Sequence, residues 1–319
     1  MKSGLSSYAG VLMYMMTLPG CNKAIEAVMI DTPNKGRSIN LNQPAQTLTL
    51  NWHGIDRHDR VVIQQPKTAL DLWMIDSKLK DKAGKVDQKG TLLLVHGYRN
   101  EKTRMVDIAK RYAEAGYRCF MVDLRGHGQS AGEYITYGVQ ESQDLIHVLD
   151  YLEANQLIVG DFGVWGISMG AATAIQFAAR EKRVKTVIAV APYSSMRAVV
   201  PNNLHNFLPY TRWTMKDDQV QKIIDDAGKK AGFDPDDANT LKAIKKTDIP
   251  ILLIHGNWDA ICPIDHSRQM VKVDPDRIKL VETKYVGHLA AHFPQVWANK
   301  AGDIDWLNQH LAKSASVDN

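Results

Sequence analysis

Gly166-Ile167-Ser168-Met169-Gly170 sets a serine between glycines two positions away on either side, directly after the apolar run FGVW and directly before the small-residue stretch AATAIQFAAR. A strand running through so short a turn into a helix thrusts the central side chain out above the sheet, and glycines are needed where a side chain would strike neighbouring backbone. The helix that follows also points its N-terminal N–H dipoles at any negative charge forming there. A serine hydroxyl is a poor nucleophile at neutral pH and needs a base to take its proton, with a carboxylate to hold that base in the right tautomer. In this arrangement the chain order is serine, acid, histidine. Asp259 follows the apolar run ILLIHG, and His288 follows RIKLV by way of Tyr285-Val286-Gly287. Both stand just past strand ends, where loops reach the carboxyl edge of a sheet. The chemistry expected of Ser168, Asp259 and His288 is acyl transfer through a covalent acyl-serine.

Eleven histidines make chance matches common, and His292, His255 and His96 are rivals for the base. His292 sits one helical turn after His288 in what reads as helix or surface. His255 and His96 end strands beside glycines, where a hydrogen-bonded structural imidazole is the simpler expectation. Asp265 and Asp248 rival Asp259 but read better as helix-cap or solvated residues. His96-Gly97-Tyr98 closes the run TLLLV, so the backbone N–H of Tyr98, together with that of Met169 after the nucleophile, is the expected pair of donors to an oxyanion. Asp123-Leu124-Arg125-Gly126-His127-Gly128-Gln129-Ser130, with Ala131 after it, contains GxGxxA, yet Gly132, Glu133 and Tyr134 continue a turn instead of opening a helix. It reads as a tight loop bonded by Asp123 and Arg125, not as a dinucleotide site. HExxH, Walker-type and paired-cysteine patterns are missing, so the expectation is no cofactor and no metal.

Positioning these residues requires alternating strands and helices. Apolar runs at 91–95, 118–122, 162–165, 186–191, 251–255 and 277–281 alternate with helical spacing at 102–115, 139–153, 168–180, 266–273 and 296–311. Strand-like runs at 47–52, 60–65 and 70–75 come before them. Together they predict an α/β fold: a mostly parallel eight-stranded sheet covered by helices on both faces, with ligands beyond its carboxyl edge. Residues 194–247 carry Pro201, Pro209 and a charged helical stretch near 216–230 but no strand-like run, and read as a helical lid inserted after the sixth strand. Tyr193, Leu204, Phe207, Leu208, Tyr210, Trp213 and Met215 could line an apolar acyl pocket there.

The chain has 319 residues, enough for one large α/β domain spanning 48–319, and its 45% hydrophobic and 23% charged residues suit a packed core. A formal charge of +4 with interspersed signs gives no basic stripe for nucleic acid. Three cysteines, Cys21, Cys119 and Cys262, form no disulfide framework. Residues 22–47 read as a linker or arm. Ahead of them, Lys2 and the apolar stretch Val11 to Leu18, ending in Leu18-Pro19-Gly20-Cys21, resemble a bacterial lipoprotein signal, in which Cys21 would carry a membrane anchor. A cytoplasmic protein with a buried or frayed N-terminus is the alternative.

HGY, DLRGHGQS, GISMG, GNWDAICP and GHLAAHFP, taken together, resemble the α/β-hydrolase superfamily, and within it the serine-aminopeptidase-like S33 group that includes monoacylglycerol lipases and small esterases. The resemblance covers roughly residues 48–312 and implies a serine hydrolase acting on a small-molecule acyl substrate, with water as the usual acceptor. A carboxylic ester of a small or medium acyl group, lipid included, asks least of the site. An amidase or peptidase, a thioesterase, an acyltransferase and a non-catalytic ligand-binding protein of the same fold are the competing readings, since fold alone does not choose among them.

Overall fold

The computed structural model describes residues 21–36, 47–64, 68–209, 211–293 and 302–311. Residues 1–20 of the expected lipoprotein signal, Tyr210 and part of the expected helix at 296–311 lie outside the described residues, and Cys21 is the first residue of a helix.

Eight strands form one sheet: β1 (Arg57–Ile63), β2 (Thr68–Ile75), β3 (Gly90–Val95), β4 (Tyr117–Val122), β5 (Phe162–Ile167), β6 (Val184–Val190), β7 (Ile251–Gly256) and β8 (Ile278–Thr283), in the order β1-β2-β4-β3-β5-β6-β7-β8. Only β2 runs against its neighbours. Strands β2, β3, β5 and β7 are buried along their whole length, as expected where helices cover both faces. The helices are α1 (Cys21–Ile30), α2 (Thr47–His53), α3 (Val106–Glu114), α4 (Val139–Ala154), α5 (Met169–Ala178), α6 (Met196–Phe207), α7 (Thr211–Thr214), α8 (Asp217–Ala231), α9 (Thr240–Ile244), α10 (Asp265–Val271) and α11 (Asp303–His310). Between β6 and β7 the chain passes through α6 to α9.

Two expectations fail near the start. Thr47 to Trp52 is helix α2, not a strand: its T-L-T-L alternation does not follow burial, since Trp52 is 85% exposed while Leu50 packs on the core. Gly54, at φ +68, ends the helix, and the Ile55 N–H donates to the Leu50 carbonyl at 3.0 Å in a Schellman closure. Residues 22–36 are not a linker either. Helix α1 is docked on the domain, with Ile25, Met29 and Ile30 buried in the same core cluster as β3 and β5.

One buried charge cluster ties the early strands to the loops above them. Lys102 is 2% exposed and lies with its Nζ 2.9 Å from Asp71 Oδ1, 2.5 Å from Asp123 Oδ2 and 4.7 Å from the centre of the Trp73 ring. Its backbone N–H also donates to Asp123 Oδ1 at 2.7 Å. Asp71, in the middle of β2, meets His58 Nε2 at 2.7 Å and Arg60 at 3.0 Å. Burial pushes its carboxyl up, but the His58 and Lys102 bonds prevail and hold it at about 2. Removing one member of a buried ion cluster strands its partners' charges, which costs about 3–5 kcal/mol. Lys102→Met, which takes the ion-pair partner from Asp123 and leaves Asp71 with only His58 and Arg60, is therefore expected to lower unfolding stability by that amount in urea titrations.

Candidate active site

Parallel register brings the candidate residues to one edge. Val95 of β3 pairs with Gly166 of β5, Ile167 of β5 with Val190 of β6, and Gly256 of β7 with Thr283 of β8, so the chain leaves β3, β5, β7 and β8 at similar heights. The loops after those four strands carry Tyr98, Ser168, Asp259 and His288.

Ser168 has φ +55 and ψ −118, a backbone conformation costly for any residue but glycine. Close packing forces it. A Cβ on Gly166 would strike the Gly170 carbonyl, and a Cβ on Gly170 would strike the Val95 and His96 carbonyl oxygens, so α5 can start against β3 only with bare glycines at both positions. The turn delivers Ser168 Oγ to 2.9 Å from His288 Nε2, and His288 Nδ1 lies 2.7 Å from Asp259 Oδ2. All three are nearly buried, at 8%, 9% and 6% exposure, so little water weakens the charges between them.

Asp259 makes further bonds. Its Oδ1 accepts the backbone N–H groups of Ile261 at 3.0 Å and Cys262 at 2.8 Å, and His255 Nε2 stands 3.4 Å from Oδ2. Burial opposes its charge, yet the bonds from His255, His288 and Cys262 prevail and hold its carboxyl at about 2. His255 is anchored in turn, with Nε2 2.7 Å from the Cys262 carbonyl oxygen and Nδ1 2.7 Å from Ser267 Oγ. It braces the acid instead of reaching Ser168. His96 is also structural: the Leu124 N–H donates to its Nε2 at 3.0 Å, its Nδ1 bonds the Gly97 carbonyl at 2.8 Å, and complete burial next to His127 lowers its pKa well below the ordinary range. Of the other rivals, Asp265 is exposed and pairs with Arg268 at 3.1 Å, and the backbone of His292 closes the single 3-10 turn His288–His292.

An apolar cavity of about 310 Å³ opens onto Ser168, bordered by Tyr98, Met169, Cys262 and His288. This is the size range of small-molecule sites. Tyr193, Leu204, Phe207 and Leu208 line it as the sequence suggests, whereas Trp213 and Met215 do not border it. Ile25, Val28 and Met29 of helix α1 do, and so do Val199 and Val200 of α6 and Ile261. The sequence offered one signal for α1, the spacing of Ile25, Val28 and Met29 along one helical face, but nothing to say where that face docks.

The DLRGHGQS loop is held largely as expected. Asp123 Oδ2 accepts the Gln129 N–H at 2.8 Å, and Ser130 Oγ donates to the Asp123 carbonyl at 2.6 Å. Gly128 lies so close to the Asp123 carboxylate that a Cβ would overlap it. Arg125 instead leaves the loop and makes a two-pronged pair with Asp144 of α4, at 2.7 and 2.6 Å. Among the described residues, no three His, Cys, Asp or Glu side chains converge as a metal site.

Two variants test the local physics. Gly170→Ala is expected to force α5 off β3 and destabilise the fold by at least about 1–3 kcal/mol, the cost of overpacking, read as a lower Tm. For Asp259 the folded value of about 2 lies below the ordinary 3.8. Its ionised form therefore stabilises the fold fully above about pH 4 and progressively less as pH falls toward 2. The Tm deficit of Asp259→Asn should be largest near neutral pH and narrow between pH 5 and 3; a gap that widens on acidification would contradict the pairing.

Residues 86–232 match the family described as serine aminopeptidase, S33. The chain is 24% identical over 188 residues to the Bacillus subtilis protein YqkD, a match covering 58% of this chain and 60% of that one. It is 33% identical over 110 residues to the polyketide transferase grgF of a Penicillium species, covering 33% and 37%. A monoacylglycerol lipase of Mycolicibacterium smegmatis is 32% identical over 65 residues, 20% of each chain. The chain thus spans 60%, 37% and 20% of the length of these relatives, less than two thirds of each. Among solved structures, the Pyrococcus furiosus esterase Pf2001 superposes with a TM-score of 0.65 at 19% identity, over 86% of this chain and 99% of that one. The Penicillium α/β hydrolase GrgF superposes with a TM-score of 0.58 at 20% identity, over 80% and 99%. With this sheet order, this turn at Ser168 and these structural neighbours, the chain has the α/β-hydrolase fold, and its residues 86–232 are similar to the serine aminopeptidase S33 family.

Proposed function

We propose that this protein is a serine hydrolase that cleaves a carboxylic ester of a small or medium acyl group through an acyl-enzyme on Ser168. The observation that carries the reading is the unbroken bond series from Ser168 Oγ through His288 to Asp259 at the floor of an apolar cavity. Ser168 Oγ attacks the ester carbon as its proton passes to His288 Nε2, and the carbonyl oxygen becomes an oxyanion facing the backbone N–H groups of Tyr98 and Met169. Collapse breaks the bond to the alcohol oxygen, which leaves with the proton from His288. Water, deprotonated by the same nitrogen, then attacks the acyl-serine, and Ser168 recovers its proton as the acid departs. Asp259 keeps Nδ1 of His288 protonated and stabilises the imidazolium that forms twice per cycle. Donors already aimed at the oxyanion, in a site with little water, supply much of the rate.

An apolar lining favours an acyl chain over the charged or polar flanks of a peptide. Acyl transfer to an alcohol is the second reading, favoured by the likeness to the polyketide transferase and by a nucleophile only 8% exposed. Added alcohol separates the two, because a transferase makes the new ester the dominant product.

Purified protein should be labelled by a fluorophosphonate probe at Ser168 and should turn over p-nitrophenyl esters. Ser168→Ala and His288→Ala are expected to lose turnover by roughly 10⁴-fold or more while staying folded, and Asp259→Asn by about 10⁴-fold or less. Full activity in either alanine variant would remove the assignment.

A further inference from the structure

Helix α1 comes before the sheet in sequence and contributes none of the groups above, yet it forms part of the wall of the cavity that holds Ser168. Its last turn is gripped through backbone carbonyls, the groups a helix end leaves without intrahelical donors. The Tyr98 hydroxyl donates to the Val28 carbonyl. Arg99 donates to the Val28 and Asp31 carbonyls at 3.2 and 2.9 Å, and the Tyr137 hydroxyl donates to that of Met29 at 3.2 Å. The Ile135 N–H donates to the Ile30 carbonyl at 2.7 Å, and Glu26 pairs with Lys230 of α8 at 2.8 Å. None of these bonds uses the side chains of Ile25 or Met29, which are 5% and 7% exposed and border the cavity. Backbone bonds, Glu26 and the fully buried Ile30 thus hold the helix, while Ile25 and Met29 both pack on the core and border the space beside it.

We propose that helix Cys21–Ile30 is the specificity wall of the site: Met29 and Ile25 set the length of the acyl chain accepted, and the substrate class is an unbranched medium-chain acyl compound lying against this helix. The proposal rests on the serine-hydrolase reading for turnover but not for binding. An acyl chain gains or loses affinity one buried methylene at a time, and in a hydrophobic pocket one methylene is worth about 10-fold or more in discrimination. Met29→Ala removes three heavy atoms beyond Cβ, room for roughly two methylenes, whereas Met29→Trp fills the same space.

The test is a chain-length series, butanoyl, octanoyl and dodecanoyl p-nitrophenyl esters, assayed as kcat/KM in the wild type and both Met29 variants of the full chain. In parallel, Tm shifts with the matching free fatty acids are measured for the same proteins carrying Ser168→Ala, which bind without turnover. The dodecanoyl-to-butanoyl ratio should rise about 10-fold or more in Met29→Ala and fall in Met29→Trp, with the fatty-acid Tm shifts in the same order. Opposite shifts cannot come from general destabilisation, and Ile25→Ala with Ile25→Phe repeats the pair if a Met29 variant does not fold. An unchanged ratio, or an equal loss at every chain length, would overturn the proposal, as would fatty-acid binding that ignores residue 29. No ester turnover by the wild type together with fatty-acid binding that tracks residue 29 would remove the hydrolase reading and leave this one standing.

Discussion

The backbone at Ser168 turns through φ +55 because helix α5 starts where β5 stops and must lie against β3 with no side chain between. Everything above the sheet depends on that contact. It sets the height of the serine, aims the start of α5 at the cavity and decides which loops can reach the hydroxyl. Strain of this kind persists only where the surroundings over-determine it. Here they do, since Gly166 and Gly170 admit no Cβ, and the Ser168 N–H is held by the Val190 carbonyl at 2.8 Å.

Around that turn the structure places its charges in two buried groups that serve different ends. Lys102 bridges Asp71 and Asp123 beneath the loop that follows β3, with Arg60 as a second cation on Asp71, so the loop carrying Tyr98 is tied through the Lys102 backbone and side chain to the DLRGHGQS loop. Asp259 sits at the centre of the second group, with two backbone N–H donors and two imidazoles around one carboxylate. A carboxylate so surrounded stays ionised in a nearly dry site. That is the property the proposed mechanism asks of the acid beside His288.

The cavity couples these parts to a segment outside the sheet. Tyr98, expected to offer its backbone N–H to the oxyanion, also holds helix α1 through its hydroxyl, and its ring is 6.3 Å from that of Tyr137, whose hydroxyl holds the same helix. The loop beside Ser168 and the helix that walls the cavity are therefore one hydrogen-bonded unit. A change in either is felt by the other.

Most of the sheet was legible in the sequence, because fully buried strands such as TLLLV, FGVW and ILLIHG leave continuous apolar runs and the helices between them keep helical spacing. That Ser168, Asp259 and His288 would meet was legible by the same route: each follows a strand, and a parallel sheet sends all its carboxyl ends to one edge. Thr47 to Trp52 misled because short alternation mimics a strand, while the real signal was Gly54 closing a helix. Only the tertiary structure decided that Arg125 would pair with Asp144, that His255 would brace Asp259, and that residues 22–36 would dock as a wall of the site. Local pattern fixes which face of a segment is apolar and where it must turn. What that face meets depends on contacts between residues far apart in the chain, such as the bond from Arg99 to Asp31 or the 108 positions separating Tyr137 from Met29, and these come into being only once the sheet has assembled.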